Sequence, residues 1–181
     1  YMSHGPVMPE YVRERFGADH PDARPEAFAA GCRAMTLIKC ASGALITIIV
    51  DTTSPRPHNM VHYVLQGTGG SYLSRRFTGD NDVLWLRDRS DAESYRPLDE
   101  FAAEFDHPLW QEHEARAAQT GHGGGDYFVL SEFIECIRND TPPPIDVVDG
   151  VTWSSIFPLS MESVRQGGAP IPVPDFRQPR P

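Results

Sequence analysis

Two β-rich runs separated by only three residues constrain the fold of this chain more than any other feature. The runs are RAMTLIKC at 33–40 and ALITIIVD at 44–51, and Ala41-Ser42-Gly43 joins them. A three-residue loop that ends in glycine is typical of a β-hairpin, so we predict an antiparallel pair. The second run is apolar at nearly every position, which favours a central strand covered on both faces.

The chain continues as strands and then becomes helical. Further strands are predicted at 60–66, 71–77 and 82–87. Helices are predicted near 8–16, near 108–118, after Gly125, and at about 146–166 with Pro158 as a kink. Strands followed by helices are typical of the α+β class. We therefore predict an open, mostly antiparallel sheet with helices packed on one face.

The charge and cysteine content exclude several kinds of partner and setting. The 181 residues carry a net charge of −9 and no Lys/Arg run, so neither nucleic acid nor an anionic membrane is expected as a partner. No apolar run reaches the roughly 18–20 residues that span a bilayer. Three widely spaced cysteines without a CxxC motif favour a reducing compartment. We expect a cytoplasmic protein, unless a preceding segment carries an export signal.

The first residues carry two groups capable of proton transfer. Tyr1 and His4 place a phenol and an imidazole three residues apart, and such a pair can orient a substrate hydroxyl or move its proton. The alternative is an unstructured terminus. Residues 1–31 are rich in Pro, Gly, His and charge, so we interpret them as an entry loop with a short helix. Residues 32–181 are predicted to form the α+β domain.

The SPRPH segment at 54–58 is a second candidate site. Prolines on both sides of Arg56 fix an extended backbone, which suits an anchor for a hydroxyl-rich or anionic ligand. The alternative is that Arg56 pairs with a local carboxylate in a turn. His58 and His62 would face one side of a helix, but this segment is predicted as strand and lacks a nearby Glu. No metal site is predicted.

The glycine-rich stretch GHGGGDY at 121–127 is a third candidate, with His122, Asp126 and Tyr127 as its functional side chains. Glycines allow the backbone to approach a ligand closely, and the following helix N-terminus offers free N–H groups. The stretch is neither a dinucleotide fingerprint nor a P-loop, because no parallel strand and no GK[ST] follow. It favours a neutral polar ligand or a neighbouring domain. The alternative is a flexible loop in which Asp126 only caps the helix.

Three of these stretches occur in the same order in a known group of enzymes. TLIKCASGALITIIVDTTSPRPHNMVHYVLQGTGG at 36–70 resembles the sheet region of the Gfo/Idh/MocA oxidoreductase superfamily. The nearest branch is glycoside hydrolase family 109, the NAD-dependent α-N-acetylgalactosaminidases. The segment from Gly121 to Phe176 resembles the closing segment of that branch, and YMSHGPV at 1–7 resembles its Tyr/His stretch.

The resemblance implies a dehydrogenase-like C-terminal domain that follows an N-terminal Rossmann domain holding NAD or NADP. It implies hydride removal from a carbon of a sugar or polyol, in an oxidoreductase or a glycosidase. Tyr1 and His4 match the acid/base pair of the branch. The residues expected to bind the substrate are Arg56, His58, His122, Asp126 and Tyr127.

Two further expectations concern assembly and the alternative function. A stand-alone, non-catalytic module for dimerisation or carbohydrate binding is the alternative hypothesis, and the 181 residues alone are expected to be inactive. An apolar sheet face is rarely left exposed to solvent, so we expect the chain to form a homo-oligomer through that face. Light scattering would measure the oligomeric state. The residues assigned to the face are Thr47, Ile49, Tyr63, Leu65 and Tyr72.

Overall fold

A computed structural model describes residues 2–3, 5–28 and 31–177. These residues form helices and two antiparallel sheets, which confirms the predicted α+β class. They divide into two compact units. The first comprises residues 1–55 with 144–181, and the second comprises 56–143.

The order of the elements follows the predicted succession of strands and helices. The strands are β1 (Met2–Ser3), β2 (Arg33–Lys39), β3 (Leu45–Asp51), β4 (Val64–Gln66), β5 (Gly70–Leu73), β6 (Val83–Leu86) and β7 (Arg96–Pro97). The helices are α1 (Val7–Phe16), α2 (Ala102–Phe105), α3 (Pro108–Ala117), α4 (Gly125–Asn139) and α5 (Val147–Arg165). Short 3₁₀ turns lie at Pro25–Ala27, Leu98–Phe101 and His122–Gly124.

The first unit contains the predicted hairpin in a sheet of order β1-β2-β3. The amide of Gly43 donates to the carbonyl of Cys40 at 3.0 Å, and the amide of Cys40 donates to that of Ala44 at 2.9 Å. Gly43 has a φ of 90°, a left-handed conformation that glycine adopts without strain. The prediction that β3 is central was wrong, because β3 is an outer strand of this sheet and is mostly exposed. An apolar run indicates two apolar faces without specifying what covers them.

Helix α5 and the chain that follows it complete the first unit. The hydroxyl of Thr36 on β2 donates to that of Ser160 on α5 at 3.0 Å. Asp146 begins the helix with a capping box, in which its carboxylate accepts from the amide of Asp149 at 2.9 Å. Arg177 donates to Asp146 at 3.0 Å and to Asp149 at 2.7 Å. The proline-rich tail is thereby fastened to the N-terminus of α5.

The second unit carries its own sheet, of order β4-β5-β6-β7. The strands predicted as one sheet of about five therefore divide between two sheets. The run at 60–66 forms a strand only over Val64–Gln66. Proline lacks the amide that a sheet ladder requires, and Pro55 and Pro57 interrupt the chain between β3 and β4.

Asp82, at the start of β6, organises one edge of the second sheet. Its carboxylate accepts from the backbone amide of Arg75 at 2.9 Å, from the Arg75 guanidinium at 2.8 Å and from the Tyr72 hydroxyl at 3.1 Å. Partial burial acts to raise the pKa of Asp82, but the bonds from Arg75 and Tyr72 outweigh it and lower that pKa. Burial, followed by the nearby Asp82 carboxylate, raises the pKa of Tyr72.

We expect Asp82→Asn to lower the free energy of unfolding by about 1–3 kcal/mol at pH 7, because charged hydrogen bonds are lost. The native pKa of Asp82 lies below its unfolded value of about 3.9, so its contribution is present above that pH and is lost as pH falls further. Urea unfolding from pH 7 to pH 3 should show the two proteins converging. Asp88→Asn, at an exposed aspartate nearby, is the matched control. A gap that stays constant down to pH 3 would contradict this account.

Many apolar side chains of the two units are exposed. The residues of the predicted self-association face divide between the two sheets: Thr47 and Ile49 belong to the first, whereas Leu65 and Tyr72 belong to the second. Tyr63 precedes β4. By register, Ile49 lies opposite Met35, and both are exposed. Self-association itself stays a prediction. None of the helices in the described ranges is both long and apolar enough to cross a membrane.

Candidate functional site

The glycine-rich loop lies between α3 and α4 in the second unit. His122–Gly124 forms a 3₁₀ turn, and α4 begins directly after it at Gly125. His122, Gly123 and Gly124 have φ values of 54°, 66° and 99°. A run of left-handed residues requires glycine nearly everywhere, which explains the composition of this stretch. His122 is the exception, since a non-glycine residue in this region costs about 1–2 kcal/mol.

The loop is held by close packing against α3. Gly124 is buried, and a Cβ atom built on it would lie 2.9 Å from the Trp110 ring and 3.1 Å from the Cβ of Ala117. Ala117 is fully buried. The Trp110 ring also contacts Phe128 on α4, with ring centroids 5.5 Å apart. Trp110 and Ala117, two turns apart on α3, thus form the surface on which the loop rests.

His122 and Asp126 form a hydrogen-bonded pair at the start of α4. The Nδ1 atom of His122 lies 2.9 Å from Oδ1 of Asp126. The side chain of His122 is 84% exposed, and that of Asp126 is 47% exposed. The alternative that Asp126 caps α4 was wrong, because the N-cap residue is Gly124 and its cap has no side-chain hydrogen bond. Asp126 lies within the first turn and directs its carboxylate to the histidine.

Tyr127 does not project freely from the loop, because its ring packs against α3. Its ring lies 5.5 Å from the His113 ring and 5.3 Å from the Phe128 ring, edge-on to the latter. Beside His113, the surface of α3 has a shallow, open depression lined by Glu112, His113, Ala115 and Arg116. Sequence reasoning missed Trp110 and His113. Their spacing with Ala117 along the predicted helix at 108–118 was the available signal.

The remaining predicted site residues lie elsewhere in the chain. Arg56 and His58 are exposed on the segment between β3 and β4, and Nδ1 of His58 lies 3.1 Å from the backbone oxygen of Asn59. They belong to the same unit as the glycine-rich loop. Tyr1 and His4 lie outside the described residues. The structure therefore brings together His122 and Asp126, with Tyr127 next in sequence.

The glycine-rich loop does not have the geometry of a dinucleotide-binding turn. The loop follows α3 where a phosphate-binding turn would follow a strand, and every strand pair in the described ranges is antiparallel. The Asp126 carboxylate in the first turn of α4 would also repel a pyrophosphate. Over the same ranges, no group of three or more His, Cys, Asp or Glu is placed to hold a metal ion.

Comparisons with known proteins point to one family and cover nearly the whole chain. The model of the glycosyl hydrolase 109 C-terminal domain matches residues 2–180. A glycosyl hydrolase family 109 protein of Parabacteroides distasonis is 35% identical over 167 residues, covering 92% of this chain and 34% of that protein. An alpha-N-acetylgalactosaminidase of Tannerella forsythia is 35% identical over 166 residues, covering 92% and 34%. A family 109 protein of Saccharopolyspora erythraea is 35% identical over 176 residues, covering 96% and 36%. The chain spans about a third of the length of these curated relatives.

Proposed function

The chain belongs to glycosyl hydrolase family 109, and from this premise we propose that it is the substrate-binding C-terminal part of a longer carbohydrate-active enzyme. The observation that carries the proposal is the His122–Asp126 pair, held at the start of α4 by a loop that packs on α3. An exposed imidazole with a fixed partner suits recognition of a hydroxyl-rich, uncharged ligand. One relative is named an alpha-N-acetylgalactosaminidase, so the proposed substrate is a sugar or glycoside of that kind.

NAD or NADP is the proposed cofactor of the longer protein. The glycine-rich loop lacks the strand–turn–helix arrangement of a dinucleotide-binding turn, so we place the cofactor mainly in a part of the protein outside this chain. The relatives are about three times as long as the matched region, which leaves room for such a domain. In this arrangement Tyr1 and His4 transfer protons to and from the substrate. The proposed sugar-binding set consists of Arg56, His58, His122, Asp126 and Tyr127.

The test is an assay of the full-length polypeptide with aryl α-N-acetylgalactosaminide and, separately, with free sugars and polyols. Each is offered with NAD⁺, with NADP⁺ and without added cofactor. Aglycone release that depends on the dinucleotide would support the glycosidase. Reduction of the dinucleotide by a free sugar, without aglycone release, would support a plain oxidoreductase.

A non-catalytic module for dimerisation or carbohydrate binding is the second candidate, favoured by the many exposed apolar side chains of β3 and α4. It predicts no turnover in any arm of the assay, together with sugar binding or a dimer mass. Turnover by the full-length polypeptide would remove this candidate.

A further inference from the structure

We propose that Asp126 is a positioning residue: it fixes His122 in one tautomer, so that Nε2 of His122 accepts a hydrogen bond from a hydroxyl of the bound sugar. The inference rests on the proposed function for the identity of the ligand. It assigns different roles to two residues that the sequence placed together in one substrate-binding set.

The tautomer follows from the chemistry of the contact. An ionised carboxylate can only accept hydrogen bonds, so the 2.9 Å contact with Asp126 requires a proton on Nδ1 of His122. In the neutral ring Nε2 then carries a lone pair. The histidine side chain is 84% exposed, which leaves that lone pair accessible to a ligand.

The position of Asp126 indicates support of the histidine. A Cβ atom built on Gly121 would lie 2.5 Å from Oδ2 of Asp126, so the loop backbone closes over the second carboxylate oxygen. The first oxygen is occupied by His122. The Asp126 carboxylate therefore contacts the imidazole with one oxygen and the loop backbone with the other. Both contacts exist before a ligand binds.

The backbone of His122 points to a role for its side chain. The residue has a φ of 54°, in a stretch whose other members from 121 to 125 are all glycine. Glycine would adopt this conformation without strain, so a histidine here carries a conformational cost that its side chain must offset.

The experiment compares four variants of the full-length protein: Asp126→Ala, Asp126→Asn, Gly121→Ala and, as matched control, Glu132→Ala. Glu132 is an exposed carboxylate on the same helix. Gly121 has an extended backbone, so alanine is tolerated there except for its contact with Asp126. Histidine-labelled ¹⁵N NMR reports the tautomer of His122. Titration with N-acetylgalactosamine, followed at Nε2, reports the ligand contact.

In the unsubstituted protein we expect the Nδ1–H tautomer and a shift of the Nε2 resonance on sugar addition. Asp126→Ala and Gly121→Ala should favour the Nε2–H tautomer and weaken sugar binding about tenfold, the size of one well-placed hydrogen bond. Asp126→Asn keeps an acceptor oxygen and should largely restore both. Glu132→Ala should change neither.

Two results would overturn the proposal. One is an Nε2–H tautomer in the unsubstituted protein, and the other is an Nε2 resonance that does not respond to the sugar while the sugar binds elsewhere. A failure of the proposed function is distinguishable, because the protein would then show the expected tautomer and bind no sugar at all.

Discussion

Replacing Gly124 with alanine is expected to lower the free energy of unfolding by about 2–4 kcal/mol. Two costs add at this position. The φ of 99° lies in the left-handed region, where a Cβ atom is disfavoured. The new methyl group would also lie 2.9 Å from the Trp110 ring and 3.1 Å from the Cβ of Ala117. Neither neighbour can move easily to relieve this contact, because Ala117 is fully buried and the Trp110 ring packs against Phe128.

Gly123→Ala is the matched control for the loop. Gly123 also has a positive φ, 66°, but a Cβ atom built on it has no atom within 4 Å. It should show the conformational cost without the clash, about 1–2 kcal/mol. Thermal and urea unfolding would measure both variants. In the double variant Trp110→Leu with Gly124→Ala, the clash is removed, so the two substitutions should cost less together than their separate effects predict.

Equal effects of Gly124→Ala and Gly123→Ala would contradict the packing argument. The loop would then be fixed by backbone conformation alone, and Trp110 would have no part in placing His122. The distinction bears on function, because a loop held on α3 keeps His122 beside Asp126 and Tyr127, which both lie on α4.

The elements that local patterns determine were predicted well from the sequence. The β2-β3 hairpin, α3, α4 and α5 each depend on residues close in the chain, such as a glycine turn or a helical repeat of apolar side chains. The division into two sheets was not predicted, since strand pairing is a long-range choice that alternation of apolar residues does not encode. The apolar residues of α4 form the predicted helix, yet Val129, Phe133 and Ile137 remain exposed.

The candidate site was only partly predicted, because some of its contacts join residues close in the chain and others require the fold. His122 and Asp126 are four residues apart, so a pattern could place them together. Trp110 and His113 reach the loop only through the packing of α3 on α4, which requires the fold. The predicted cap at Asp126 was wrong because the carboxylate had a competing donor, the imidazole of His122, one turn away.

His4→Ala in the full-length protein is expected to lower kcat by about 10²–10⁴-fold, the usual contribution of general acid–base catalysis. His4 lies outside the described residues, and the prediction rests on the role in proton transfer that is proposed above for Tyr1 and His4. Dinucleotide binding, measured by fluorescence titration, should stay unchanged because the cofactor is proposed to lie in another domain.

The control is His20→Ala, at a histidine whose Nδ1 accepts from the backbone amide of Asp22 at 3.2 Å in an exposed turn. It should leave kcat and KM unchanged. If His4→Ala instead raises KM with kcat preserved, His4 binds the ground state and transition state equally and moves no proton. Turnover equal to that of the unsubstituted protein would remove His4 from the mechanism. In either case the proton-transfer role would have to pass to another group, and His122 would be the first to examine, because its side chain is exposed and its Nδ1 atom lies 2.9 Å from the Asp126 carboxylate.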